Sequence, residues 1–152
     1  MQEGASRSMK LFTIGFTQKS AEEFFTCLQK AGVRRVVDIR LHNTSQLAGF
    51  AKAQDLKYFL CAIGGIEYVH IPDFAPTQDI LDDFQKSKGT WAEYERKFGE
   101  LMAKRGIADT AANTLRENDC FLCSEPTPER CHRRLVAEHL QAQLGDIEVI
   151  HL

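Results

Sequence analysis

Within one short segment, FLCSEPTPERCHRRLVAEHL at residues 121–140, the chain collects two thiols, two imidazoles, several guanidiniums and acidic side chains. Cys123 and Glu125 close an apolar run, two prolines follow, and a helical pattern starts near Pro128 with Cys131, His132 and Arg133 close behind. A thiol beside arginines at a helix start has a lowered pKa, which suits a nucleophile or a redox centre. Cys131 and Cys123 are therefore candidate catalytic residues, against the plainer alternative of small buried hydrophobes. Neighbours on a helix do not face each other. A partnership of Cys123 with Cys131 or His132 is thus easier to build than one between Cys131 and His132.

The same helix start is basic. Arg130, His132, Arg133 and Arg134 stand against Glu129 alone, although a helix N-terminus favours acids, and each misplaced cation costs about 0.3–1 kcal/mol. Elsewhere the chain follows the ordinary rule, pairing Ser20 with Glu23 and Thr90 with Glu93 in capping-box spacing. After the expected cap Thr127, the corresponding position holds Arg130. Local rule-breaking of this kind is expected at functional sites. An anion would reverse the sign of the effect, because a helix N-terminus with basic side chains is a natural phosphate site. The alternative is that these long side chains reach into water.

A second constellation ends the strand RVVDIR at 35–40. Alternation puts Asp38 and Arg40 on one face and Val37 and Ile39 on the other. This predicts either a structural ion pair or an anion-binding Arg40 oriented by Asp38. Gly15 and Thr17 at the end of the first strand, and Ser45 in the loop HNTSQLAGF at 42–50, complete the candidate ligand-binding set with Arg40, His132 and Arg133. Glu125 joins Asp38 as a candidate for orienting arginines or moving protons. Cys120, Cys123, Cys131 and His132 are zinc-type ligands. On a strand, however, an offset of three sends Cys120 and Cys123 to opposite faces, so no metal ligands are assigned. His42, His70, His139 and His151 are expected to be structural or solvated.

Strands and helices alternate around these residues. Strands are expected at 10–15, 35–40, 66–72, 119–125 and 147–152. Helices are expected at 20–32, 53–65, 77–85, from Thr90 through Met102, at 108–118 and at 128–145. Trp91, Tyr94, Phe98, Leu101 and Met102 form a stripe that reads as sheet packing. Long connections between strands imply a single three-layer α/β domain: a mostly parallel sheet of about five strands with helices on both faces, spanning 9–152. Ligands in such folds sit outside the carboxyl ends of the strands, where the candidates above converge. Residues 1–8, MQEGASRS, read as a disordered leader or a cloning remnant.

A net charge of −2 offers no general attraction to nucleic acid. No apolar run reaches the length of a membrane span. Five cysteines, an odd number, do not form a secreted disulfide framework, so a reducing cytoplasm is the expected setting.

The fragments FTIGFT, VVDIRLHNTSQLAGF, IEYVHIPDFAPT and LCSEPTPERCHRRLVAEHL resemble the family catalogued as domain of unknown function 488, from Lys10 to Leu152. The most specific part is Leu122, Cys123 and Glu125 followed by Cys131, His132 and Arg133; Val37, Asp38 and Arg40 come next. The resemblance implies a compact cytoplasmic α/β domain and no particular reaction or cofactor. Cys120 lies outside the family's pattern. Asn43, Thr44, Ser45 and Gln46 stand where many relatives carry further basic residues, which disfavours a long nucleic acid.

Three functions stay open. The first is a site for a small anionic, phosphate-bearing ligand, with cysteine-assisted catalysis. The second is a thiol-redox or metal-binding protein using Cys123, Cys131 and His132. The third is a non-catalytic nucleic-acid module that adds Lys52 and Arg34 as phosphate contacts.

Overall fold

The computed structural model describes residues 9–43, 49–125, 129 and 131–152. Residues 1–8, the loop residues Thr44, Ser45 and Gln46, and Thr127, Pro128 and Arg130 lie outside the described residues. The strands are β1 (Met9–Gly15), β2 (Arg35–Asp38), β3 (Glu67–His70), β4 (Asp119–Cys123) and β5 (Ile147–His151). The helices are α1 (Ala21–Ala31), α2 (Ala53–Gly64), α3 (Gln78–Gln85), α4 (Trp91–Arg105), α5 (Ile107–Thr114) and α6 (His132–Leu144). Short 3-10 turns at Gly49–Ala51 and Pro72–Phe74 were not anticipated from the sequence.

The strands form one sheet in the order β3-β2-β4-β1-β5, and every pairing is parallel. Side-chain alternation sorts the core into two layers. Phe12, Ile14, Val36, Cys120 and Leu122 pack against α1 and α2 through Phe24, Leu28, Leu56 and Leu60. Leu11, Val37, Phe121 and Cys123 face the opposite layer, where Phe98, Met102, Val136 and Leu140 come from α4 and α6. Cys120 and Cys123 therefore do occupy opposite faces, as their offset of three requires. Among the described residues, no helix is long and apolar enough to cross a membrane.

Both capping boxes form, on Ser20–Glu23 and Thr90–Glu93. The basic helix does not begin near Pro128. Its N-cap is Cys131, in an extended conformation, and His132 opens the helix. Cys131 is also bonded to Cys123 at the end of β4. Strand β2 stops at Asp38, short of Arg40, because the Asp38 carboxylate accepts from the Arg40 backbone N–H and so turns the chain. Strand β4 likewise ends at Cys123, before Glu125. The expected 108–118 helix runs instead from Ile107 to Thr114, and Asn118, at φ 66°, turns the chain into β4.

A buried ion pair braces the amino ends of the sheet. Arg35 Nε and Nη2 donate to Asp119 Oδ1 and Oδ2 at 3.0 and 2.7 Å, joining the starts of β2 and β4. It lies at the end of β2 opposite the candidate site.

Candidate functional site

Beyond the carboxyl ends of β2 and β4 lies a cavity of about 310 Å³. Its base comes from the segments that leave those strands, Arg40–His42 and Ser124–Glu125, and from the start of α6, Cys131 and His132. Helices α3 and α4 supply the walls, including Phe84, Trp91 and Tyr94. Trp91 and Tyr94 stack with centroids 4.7 Å apart and planes 13° apart.

Asp38 anchors the β2 side and is fully buried. Its Oδ1 accepts from Arg40 Nε at 2.8 Å, and its Oδ2 accepts from Arg40 Nη2 at 2.7 Å and from the Tyr68 hydroxyl at 2.5 Å. Asn43 Nδ2 donates to the Tyr68 oxygen at 3.2 Å and approaches Asp38 at 3.4 Å. Burial works to raise the Asp38 pKa, but the bonds from Arg40 and Tyr68 outweigh it and hold the carboxyl below the usual range. Asp38 is thus a fixed carboxylate that orients a guanidinium. Tyr68 is pushed up by burial and by the same carboxylate, so it remains a hydroxyl donor.

Arg40 is held as a planar fork with two of its three nitrogens committed. It is 3% exposed, and its buried Nη1 has no hydrogen-bond partner. The Phe16 ring lies 5.3 Å from the guanidinium carbon, a cation–π contact. Trp91 Nε1 is likewise buried and without a partner. Two N–H groups from residues lining one cavity therefore lack acceptors.

On the β4 side, Cys123 and Cys131 form a disulfide across eight residues of sequence. Cys131 lines the cavity, whereas Cys123 is fully buried behind it. Among the described residues, Arg133 is the largest fully buried side chain. Its partners are the Thr13 hydroxyl (3.2 Å from Nε), the Glu125 carbonyl (2.5 Å from Nη1) and the Cys123 sulfur (3.5 Å from Nη1), while Nη2 has none. Desolvation lowers its pKa. Gly15 makes room for this arrangement, since a Cβ there would sit 1.6 Å from the Glu125 carbonyl oxygen and 2.6 Å from Arg133 Nη1. Thr17 also binds this segment through Ser124, whose carbonyl accepts from both the Thr17 backbone N–H (3.0 Å) and the Thr17 hydroxyl.

His132 donates from Nε2 to the Ile39 carbonyl at 2.7 Å. Because a carbonyl only accepts, the hydrogen sits on Nε2 and the Nδ1 lone pair is left over. Burial drives the His132 pKa down to about 4 against the opposing pull of the Ile39 bond. The imidazole is neutral at physiological pH.

Asp38, Arg40, Glu125, Cys131 and His132 are thus brought to one cavity or its immediate support. Gly15, Thr17, Cys123 and Arg133 form a layer beneath it, and Ser45 lies outside the described residues. The basic helix start divides by direction. Arg133 turns into the core, while Arg134 pairs with Glu95 at 3.5 Å and Glu138 at 3.1 Å. His42 also lines the cavity, bonded to Gln78. Tyr68, Trp91 and Tyr94 were not singled out as site residues from sequence. Trp91 and Tyr94 look like core because they sit on a helical stripe, and only the placement of α3 and α4 at the strand ends opens them to a cavity.

The Cys123 and Cys131 sulfurs and a His132 ring nitrogen lie within 4.8 Å of one another. As thiolates the cysteines could serve a soft metal. In the disulfide they are not thiolates, and the guanidinium against Cys123 opposes a further cation.

The model of one family, domain of unknown function DUF488, matches residues 20–140. No curated protein and no solved structure matches the chain. The chain belongs to the DUF488 family.

Proposed function

We propose that this member of the DUF488 family binds a small anionic, phosphate-bearing ligand in the cavity at the carboxyl ends of β2 and β4. What carries the proposal is the pair of buried, unpartnered donors, Arg40 Nη1 and Trp91 Nε1, on residues lining one cavity. A desolvated donor without an acceptor costs about 1–3 kcal/mol, and an oxyanion drawn in beside either nitrogen would relieve that cost. Asp38 fixes the guanidinium beforehand, so little ordering entropy is lost on binding. The stacked Trp91 and Tyr94 rings favour a ligand whose anionic head is attached to a flat or apolar body.

Cys131, Glu125 and neutral His132 line the same cavity. Reduction of the disulfide would present Cys131 as a nucleophile beside a carboxylate and a proton acceptor. A cavity of about 310 Å³ with one unpaired guanidinium nitrogen suits a small molecule better than a polyanion such as nucleic acid.

The test is a thermal-shift series with phosphate, sulfate and nucleoside monophosphates on wild type, Trp91→Phe and Arg40→Lys. A ligand at 100 times its dissociation constant adds about 2.7 kcal/mol to the native state, or roughly 5–10 °C for a chain of this size. One anion class should raise the midpoint, and both variants should respond less. Absence of a shift with every anion would reject the proposal.

A further inference from the structure

We propose that Cys123 and Cys131 are a reversible dithiol–disulfide couple that exchanges with low-molecular-weight disulfides and thiols entering the cavity. Cys131 is the attacking sulfur and Cys123 the resolving one. The inference goes beyond the anion site and does not depend on it.

Position separates the two roles. Cys131 lines the cavity and caps α6, so an incoming sulfur reaches it first, and the helix start favours its thiolate. Cys123 is fully buried behind it and meets only a sulfur already linked to Cys131. The surroundings of Cys123 suit a thiolate. Arg133 is a buried guanidinium whose acceptors are a hydroxyl, a carbonyl and the Cys123 sulfur, with Nη2 bonded to nothing. A charge buried this deeply ordinarily has a counter-ion. The disulfide supplies none, whereas reduction places a full negative charge 3.5 Å from Nη1. Arg133 thereby stabilises the reduced state of Cys123, while the covalent bond defines the oxidised state. A His132 ring nitrogen lies within 4.8 Å of both sulfurs.

The exchange balances as two displacements. In the reduced protein, Cys131 loses its proton and attacks one sulfur of a disulfide R–S–S–R. The Cys131–S bond forms, the substrate bond breaks, and one RS⁻ leaves and takes up that proton. Cys123 then loses its proton and attacks Cys131 Sγ. The Cys123–Cys131 bond forms, and the second RS⁻ leaves and is protonated. The protein loses two electrons and two protons, and the substrate becomes two thiols. Excess small thiol drives the same steps backwards.

Equilibration of the wild-type protein with graded ratios of reduced to oxidised glutathione, followed by alkylation in denaturant and mass analysis of peptides, tests this. Cys123 and Cys131 should become alkylated together as the ratio turns reducing, with a midpoint inside the glutathione range. In the folded Cys123→Ser variant, Cys131 should accumulate a glutathione adduct. In folded Cys131→Ser, Cys123 should acquire none. A pair that stays oxidised, or stays reduced, at every ratio would overturn the proposal. So would an adduct on Cys123 in Cys131→Ser, or a co-purified metal that shields both thiols until it is chelated. The wild-type titration decides the matter even if neither variant folds.

Discussion

Asp38 and Arg40, two residues apart, are bound by three hydrogen bonds: from the Arg40 backbone N–H at 3.1 Å, from Nε at 2.8 Å and from Nη2 at 2.7 Å. The carboxylate both ends strand β2 and aims the guanidinium. Asp38→Asn removes the negative charge and leaves a buried cation without its partner, which costs about 3–5 kcal/mol. Urea unfolding should show a midpoint lowered accordingly. Arg35–Asp119 at the other end of β2 provides the contrast. Asp119→Asn should be comparably destabilising, yet at temperatures where the variant remains folded it should leave any anion-induced shift intact.

Tyr68 holds the same carboxylate from β3 at 2.5 Å. Tyr68→Phe deletes a hydrogen bond to a charged group, worth about 1.5–3 kcal/mol. It also weakens one of the interactions that hold Asp38 below its ordinary pKa. A carboxyl with a depressed folded pKa stabilises the protein above its unfolded pKa, and that contribution fades as pH falls through the folded value. Acid unfolding followed by circular dichroism should therefore begin at higher pH in Tyr68→Phe than in wild type.

Gly15 is required by close approach. An added Cβ would overlap the Glu125 carbonyl oxygen at 1.6 Å, a backbone atom that cannot rotate away, and would crowd Arg133 Nη1 at 2.6 Å. Gly15→Ala must separate β1 from the segment after β4, at a cost of at least ~1–3 kcal/mol. The displaced guanidinium would no longer face Cys123. Thermal unfolding should report the loss of stability, and the Cys123–Cys131 equilibrium should shift toward the disulfide.

Much of this was legible in the sequence, because strands and helices carry periodic signals. The α/β alternation and both capping boxes follow from spacing alone. Asp38 and Arg40 do pair, but through a turn after β2 and not through the shared strand face that alternation predicts. The interior direction of Arg133 does not. An arginine beside a cysteine at a helix start reads as a solvated or ligand-facing cation until the neighbouring strands are in place. Only then does Gly15 prove small enough, and Thr13 near enough, to take the guanidinium into the core. Trp91 and Tyr94 escaped for a related reason. A stripe position looks the same whether it meets a sheet face or the rim beyond the strand ends, and α4 does both, with Phe98 fully buried and Trp91 at the cavity.

His132 supplies a pH dependence of definite sign. Burial beside Arg133 holds its folded pKa at about 4, against an ordinary value of 6.5. Between these values the unfolded chain binds a proton that the folded protein excludes, so stability falls as pH drops from about 6.5 to about 4. The full difference amounts to roughly 3 kcal/mol. Asp38, with its pKa depressed below the ordinary 3.8, keeps its charge in the folded protein across that window and adds a slope of the same sign only toward its acid end, where the unfolded carboxyl begins to take up a proton. His139 and His151 are lowered in the same direction and add smaller contributions of the same sign. In His132→Gln the side-chain amide can still donate to the Ile39 carbonyl, but the titrating group is gone. Urea midpoints measured from pH 4 to pH 7 should fall steeply toward acid in wild type and much less in His132→Gln. Parallel slopes for the two proteins would show that His132 accepts its proton equally well folded and unfolded, and that the part-buried neutral imidazole is not what limits acid stability.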